Sequence, residues 1–87
     1  MITGKTETGF EFELDDNATD NYELLEVLTD IEKGQSKKMV DAINMLLGDE
    51  QKDRLKKHVA ETEGRVSTAR MWKEFVSILG EANGKKS

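Results

Sequence analysis

One histidine, His58, and no cysteine make up the whole imidazole and thiol inventory of this chain. A metal site built on nitrogen or sulfur would have at most one such ligand, leaving carboxylates to supply the rest. Nucleophilic catalysis needs a hydroxyl or thiol beside a base, and acid–base catalysis needs groups whose pKa values are pushed apart. His58 falls beside Leu55 and Val59, two apolar residues four apart, which reads as a boundary position on a helix rather than a catalytic base. Two adjacent carboxylate pairs remain. Asp15-Asp16 lies in a run of turn formers, and Asp49-Glu50 comes after a glycine, where acids cap a helix and complement its dipole. Residues 15–20 lack the central glycine and terminal glutamate of an EF-hand loop. The glycines are scattered singly, so there is no phosphate-cradling loop. The expectation is a binding protein with no catalytic residue, no cofactor and no metal.

Charge narrows the partner. Lys52, Arg54, Lys56 and Lys57 point in widely spread directions on a helix, with Asp53 among them, as on a solvated face of mixed charge. No segment is basic along one helical face as a recognition helix would be. The net charge of −5 is also unevenly placed. Residues 1–32 carry ten acids against the single base Lys5, whereas residues 33–87 carry twelve bases against eight acids. An acidic first third repels phosphates, so no nucleic acid partner is expected. The imbalance reads either as a solvated surface or as attraction between opposite ends, toward a charged partner or between copies. Under the second reading the acidic 1–32 region of one copy meets the basic remainder of another, giving self-association that weakens with salt.

The elements that would carry these residues are short. Eighty-seven residues suit one domain with a small core. Neither a charged-then-apolar leader nor an apolar run long enough to cross a bilayer is visible, which predicts a cytosolic protein with no membrane contact. Phe10, Phe12 and Leu14 alternate with Glu11 and Glu13, the period-two pattern of a half-buried strand, and Gly9 suits a turn back to residues 2–5. Helical spacing then predicts four helices. The first covers residues 21–33, capped by Thr19 or Asp20 with Glu23 as a capping-box partner and ended by Gly34. The second runs from Ser36 to Gly48 and carries Met39, Val40, Ile43, Leu46 and Leu47 as its apolar stripe. The third starts after Asp49, buries Leu55 and Val59, and stops at Gly64. The fourth is capped by Ser67 or Thr68 and runs to Asn83, or stops at Gly80 inside its own pattern. The predicted fold is mainly α: a small four-helix domain with an N-terminal β-hairpin. It forms a single domain over residues 1–83, with the hairpin at 1–14, helices over 20–83 and a disordered tail at 84–87.

The last helix holds more apolar surface than one face needs. At about 100° per residue, Ala69, Trp72, Val76 and Leu79 form one stripe, and Met71, Phe75, Ile78 and Ala82 form another roughly 110° away. Together they cover about half the circumference, against the ~100° of an ordinary surface helix. The first stripe reads as core because the Trp72 indole is the largest anchor available. The second, with Met71, Phe75 and Ile78, then faces a partner. Met45, opposite the stripe of its own helix, is either a further contact or a plain exposed methionine.

Several stretches, in order, resemble one known family. Lys5-Thr6-Glu7-Thr8-Gly9-Phe10-Glu11-Phe12-Glu13-Leu14 is similar to the opening of the tail assembly chaperones of long-tailed bacteriophages. Tyr22-Glu23-Leu24-Leu25-Glu26 resembles the start of that family's first helix, and Asn44-Met45-Leu46-Leu47-Gly48-Asp49-Glu50-Gln51 its helix–glycine–acid junction. Glu63-Gly64-Arg65-Val66 before a capped helix resembles its final segment, although no proline stands near Gln35 or Ser67. The resemblance implies binding to the tape measure protein, with the tail tube protein as a further contact. It also implies action in the host bacterial cytoplasm and absence from the mature virion. A small acidic phage or prophage regulatory adaptor that binds a protein partner is the alternative.

Overall fold

Alternating side chains at the start of the chain fold into a two-stranded antiparallel sheet. The computed structural model describes the backbone of residues 1–86 and the side chains of residues 1–84. Strand β1 (Ile2–Lys5) pairs with β2 (Glu11–Leu14), placing Ile2 opposite Leu14 and Gly4 opposite Phe12. Phe12 and Leu14 therefore enter the core from one face, joined by Phe10, while Glu11 and Glu13 stay in solvent. Gly9, at φ 91°, closes the turn by donating its N–H to the Thr6 carbonyl at 3.0 Å.

Helix α1 (Tyr22–Glu32) starts at Asn21, whose Oδ1 accepts from the N–H groups of Glu23 and Leu24 at 3.0 and 3.3 Å. Thr19 and Asp20, the predicted caps, are passed over. Backbone turns from Asp15 to Ala18 and from Asn17 to Asp20 keep the chain non-helical up to that point. Gly34, at φ 103°, ends the helix. Its N–H reaches Ile31 and that of Gln35 reaches Asp30, both at 3.0 Å, satisfying two terminal carbonyls.

The largest difference from expectation is the helix count, three rather than four. Residues 38–63 form one element, α2 (Lys38–Glu63), bent at Gly48 where φ is 79° and ψ is 170°. The two helices predicted on either side of Gly48 are its two arms. Gly64, at φ 77°, terminates the second arm through a 2.8 Å bond to the Ala60 carbonyl. Helix α3 (Thr68–Lys86) is capped by Ser67, whose Oγ accepts from the Arg70 N–H at 3.3 Å. It continues through Gly80 and Gly84, so the tail expected from residue 84 is helical as far as Lys86. Ser87, also assigned to that tail, lies outside the described residues.

Packing reflects these faces. α1 lies on α2, β1 on α3, β2 on α2, and α2 on α3. Phe12, Leu55, Phe75 and Ile78 are the largest wholly buried side chains. One amide fastens the hairpin edge: the Gln51 side chain on α2 accepts from the Glu13 N–H at 2.7 Å and donates to the Glu13 carbonyl at 2.5 Å. An edge strand is thereby paired without a third strand. No helix among the described residues is long and apolar enough to cross a membrane.

Asp30 and Lys38 tie α1 to α2 through a 2.6 Å Nζ–Oδ2 contact. The hydrogen bond from Lys38 holds the Asp30 carboxyl below its ordinary value, and the same bond raises Lys38. The Asp30 contribution is complete above the ordinary carboxyl value of about 3.9 and is lost as pH falls through the depressed one. The Lys38 contribution is complete below about 10.4 and is lost as pH rises through the raised value. Both groups are partly exposed, so solvent keeps the effect small. In an NMR titration, Lys38→Met should move the Asp30 midpoint upward; an unmoved midpoint would mean that the pair does not persist in solution.

Candidate protein-binding site

Among the described residues, His58 meets a buried acid where the hairpin turn, α2 and α3 come together. Glu74 is only 4% exposed, although charged residues are seldom buried without partners. Its Oε1 accepts from the Thr8 hydroxyl and, at 3.4 Å, from the Thr6 hydroxyl. His58 Nε2 lies 2.8 Å from Thr8 Oγ1 and 3.6 Å from Glu74 Oε1, and its ring leans on Phe10 with centroids 5.6 Å apart. A hydroxyl–imidazole–carboxylate relay needs the acid on one ring nitrogen and the hydroxyl on the other. Here both crowd the same nitrogen, beside a cavity of about 10 Å³, barely the space of one water. The arrangement works as a fastener that ties the turn to two helices. Glu74→Ala should therefore cost about 1–3 kcal/mol, because it strips the buried Thr6 hydroxyl of its carboxylate acceptor and frees the exposed Thr8 from α3. A thermal melt identical to that of the parent would contradict this role.

This fastener also sets the rotation of α3. With Glu74 turned inward to meet Thr6 and Thr8, the neighbouring stripe must be buried. Met71, Phe75, Ile78 and Ala82 are all core residues, the last three wholly enclosed. The predicted roles of the two stripes are thus exchanged. Ala69 and Val76 are exposed, Val76 by 51%, and Trp72 and Leu79 are half-buried. Size alone does not make Trp72 the anchor: Phe10, Phe12 and Phe75 supply the buried aromatic rings of the core, and Trp72 packs against it only partly buried. Trp72 instead stacks on Phe75 at 4.8 Å with planes 18° apart, held firmly at the edge of the core.

An apolar groove opens beside Trp72. Its lining brings together Met39, Val40 and Ile43 from the first arm of α2, Val66 from the connecting loop, and Met71 and Trp72 from α3. Val40 is 62% exposed and Val66 44%, so the groove has an uncovered apolar rim. Its volume is about 260 Å³, below the ~300–1,000 Å³ of sites that enclose small ligands. It suits protruding side chains of a macromolecule. Lys52 and Lys56, one turn apart on the second arm of α2, border it, and no acidic side chain lines it among the described residues. On the far side of Trp72, Val76 belongs to a second, open cleft whose other walls are charged or polar, with Glu7, Arg70 and Lys73 among them. Beyond Trp72, the exposed apolar surface of that cleft is Val76 alone among the described residues.

Of the four residues predicted to meet a partner, Met71 lines this groove, whereas Phe75 and Ile78 lie beneath the surface with no exposed area. Met45 is partly buried against the core and borders a different, polar cleft with Asp15, Asp16 and Asn17. The four are therefore not one surface. Val40, Val66, Trp72 and Val76 are the residues that sequence reasoning missed. The available signal was the surplus apolar width of α3 and a lone valine, Val66, in a polar loop. Among known proteins, no family model, no curated protein and no solved structure matches the chain.

Proposed function

We propose that this chain is a non-enzymatic tail assembly chaperone of a long-tailed phage or prophage, which binds the tape measure protein and keeps it soluble while the tail assembles. The observation that carries the reading is the apolar groove with the exposed Val40 and Val66 at its rim and Trp72 at its edge, with Val76 exposed one turn further along α3. Such a surface beside lysines fits helix-in-groove recognition, in which an amphipathic client helix lays its apolar face down. Abundant charge elsewhere keeps the chaperone itself soluble. The ordered resemblance of its segments to tail assembly chaperones supplies the identity of the client and the site of action, the host cytoplasm before the virion is complete.

A second reading, the acidic regulatory adaptor, draws on the exposure of Glu7, Glu11, Glu13, Asp15 and Asp16 on the hairpin side. Co-expression separates the two. The tape measure protein, insoluble alone, should appear in the soluble fraction with this chain and co-purify with it. If it stays insoluble at several expression ratios, the chaperone reading fails.

A further inference from the structure

The groove has a complementary surface on the same chain. Leu24 is buried on one side of α1 and Leu28 and Ile31 pack there too, yet Tyr22 and Leu25 stand 73% and 56% exposed on the other side. Tyr22, Leu25, Glu26 and Thr29 fall within about 100° of one another on a helical projection. The Thr29 hydroxyl donates to the Leu25 carbonyl at 2.9 Å, so it is spent on its own helix. What remains is a short apolar ridge of Tyr22 and Leu25, with the exposed carboxylates of Glu26 and Glu32 alongside. The groove offers the opposite: an apolar trough with Lys52 and Lys56 at its border and no acid in its lining among the described residues. Within one copy the ridge faces solvent, so it does not fill that copy's groove.

We infer that, in the absence of client, the groove receives the Tyr22–Leu25 ridge of a second copy, whose Glu26 and Glu32 approach Lys52 and Lys56. The two faces differ, so the contact is head-to-tail and leaves one open groove and one open ridge at the ends. It extends with concentration, weakens with salt, and is displaced by a client helix competing for the same trough. This inference rests on the groove being the client site.

Two exposed substitutions test it by sedimentation velocity at low salt. Leu25→Glu disables the ridge and leaves the groove; Val40→Glu disables the groove and leaves the ridge. Each variant alone should be monomeric, with association at least roughly tenfold weaker than the parent, because a carboxylate enters an apolar contact. Their equimolar mixture should form a dimer and nothing larger, since only one working junction exists. Lys56→Glu should also be monomeric and should recover association when mixed with Glu26→Lys. A parent that is monomeric at low salt and high concentration, a single variant that associates like the parent, or a mixture that stays monomeric would each overturn the proposal. Circular dichroism confirms that the variants are folded, and Tyr22→Ala gives a second ridge variant that adds no charge. Client solubilisation distinguishes the two failures. A monomeric parent that still solubilises the tape measure protein removes only the self-capping. Undiminished solubilisation by Val40→Glu and Val76→Asp removes the groove as client site.

Discussion

Ile78→Asp is expected to leave the chain largely unfolded at room temperature, whereas Val76→Asp is expected to melt within a few degrees of the parent. The residues are two apart on α3, but Ile78 has no exposed surface and Val76 is half in water. An aspartate at 78 would place a carboxylate in the wholly buried apolar cluster that also holds Phe12, Leu55 and Phe75, which costs several kcal/mol when it is unpaired. A domain of this length has about 4–13 kcal/mol in total. At 76 the cost is confined to helix propensity and a few lost contacts, below about 1 kcal/mol. Circular dichroism melts of the two variants decide the matter, and the reverse order would mean that α3 is rotated by a third of a turn.

The second large effect is expected at the hairpin. Two strands alone are marginal in water, so the sheet persists because β1 packs on α3, β2 packs on α2, and Phe10, Phe12 and Leu14 join the common core. Phe12 is enclosed on all sides, and Phe12→Ala should cost about 3–5 kcal/mol. For a chain of this size that lowers the melting temperature by roughly 12–40 °C. The loss should also release Thr6 and Thr8 from Glu74, so amide exchange should rise at the turn and in the facing part of α3 together. Faster exchange in the hairpin alone, with the parent melting temperature, would show that the sheet is an appendage.

These two experiments bear on how far the fold was legible in the sequence. The hairpin was legible because its signal is local: period-two alternation and a glycine at the turn point to the strand, its buried face and the turn, whereas the pairing register of Ile2 with Leu14 comes from the fold. Gly34 and Gly64 were legible as helix ends for the same reason, each supplying a positive φ that other residues resist. Gly48 uses that freedom too, but the chain resumes its helix at once, so a bend replaced a predicted break. A glycine gives the same signal for both, and the packing of the next segment decides between them. The cap at Asn21 was missed because turns over residues 15–20 delay the helix, and three polar residues in a row offer equivalent caps. The rotation of α3 was least legible. Its apolar arc is wide enough to be buried from either side, and the choice depends on Thr6 and Thr8, more than sixty residues away in sequence. The site inherited that error: Met71 was placed at the groove, while Phe75 and Ile78 went to the core and Trp72 and Val76 to the surface.

Trp72 is the chain's single tryptophan, and it sits where the groove meets the exposed stripe of α3, so its fluorescence reports directly on the proposed client surface. Titrating the folded protein with helical peptides from the tape measure protein is the decisive measurement. A client helix laid across the groove should exclude water from the indole, giving a saturable shift of its emission to shorter wavelength. The same titration of Val76→Asp, with its melting temperature intact, should show binding weakened by roughly tenfold or more. Peptides that bind, by an independent assay, without changing Trp72 emission and equally well to Val76→Asp would contradict the account.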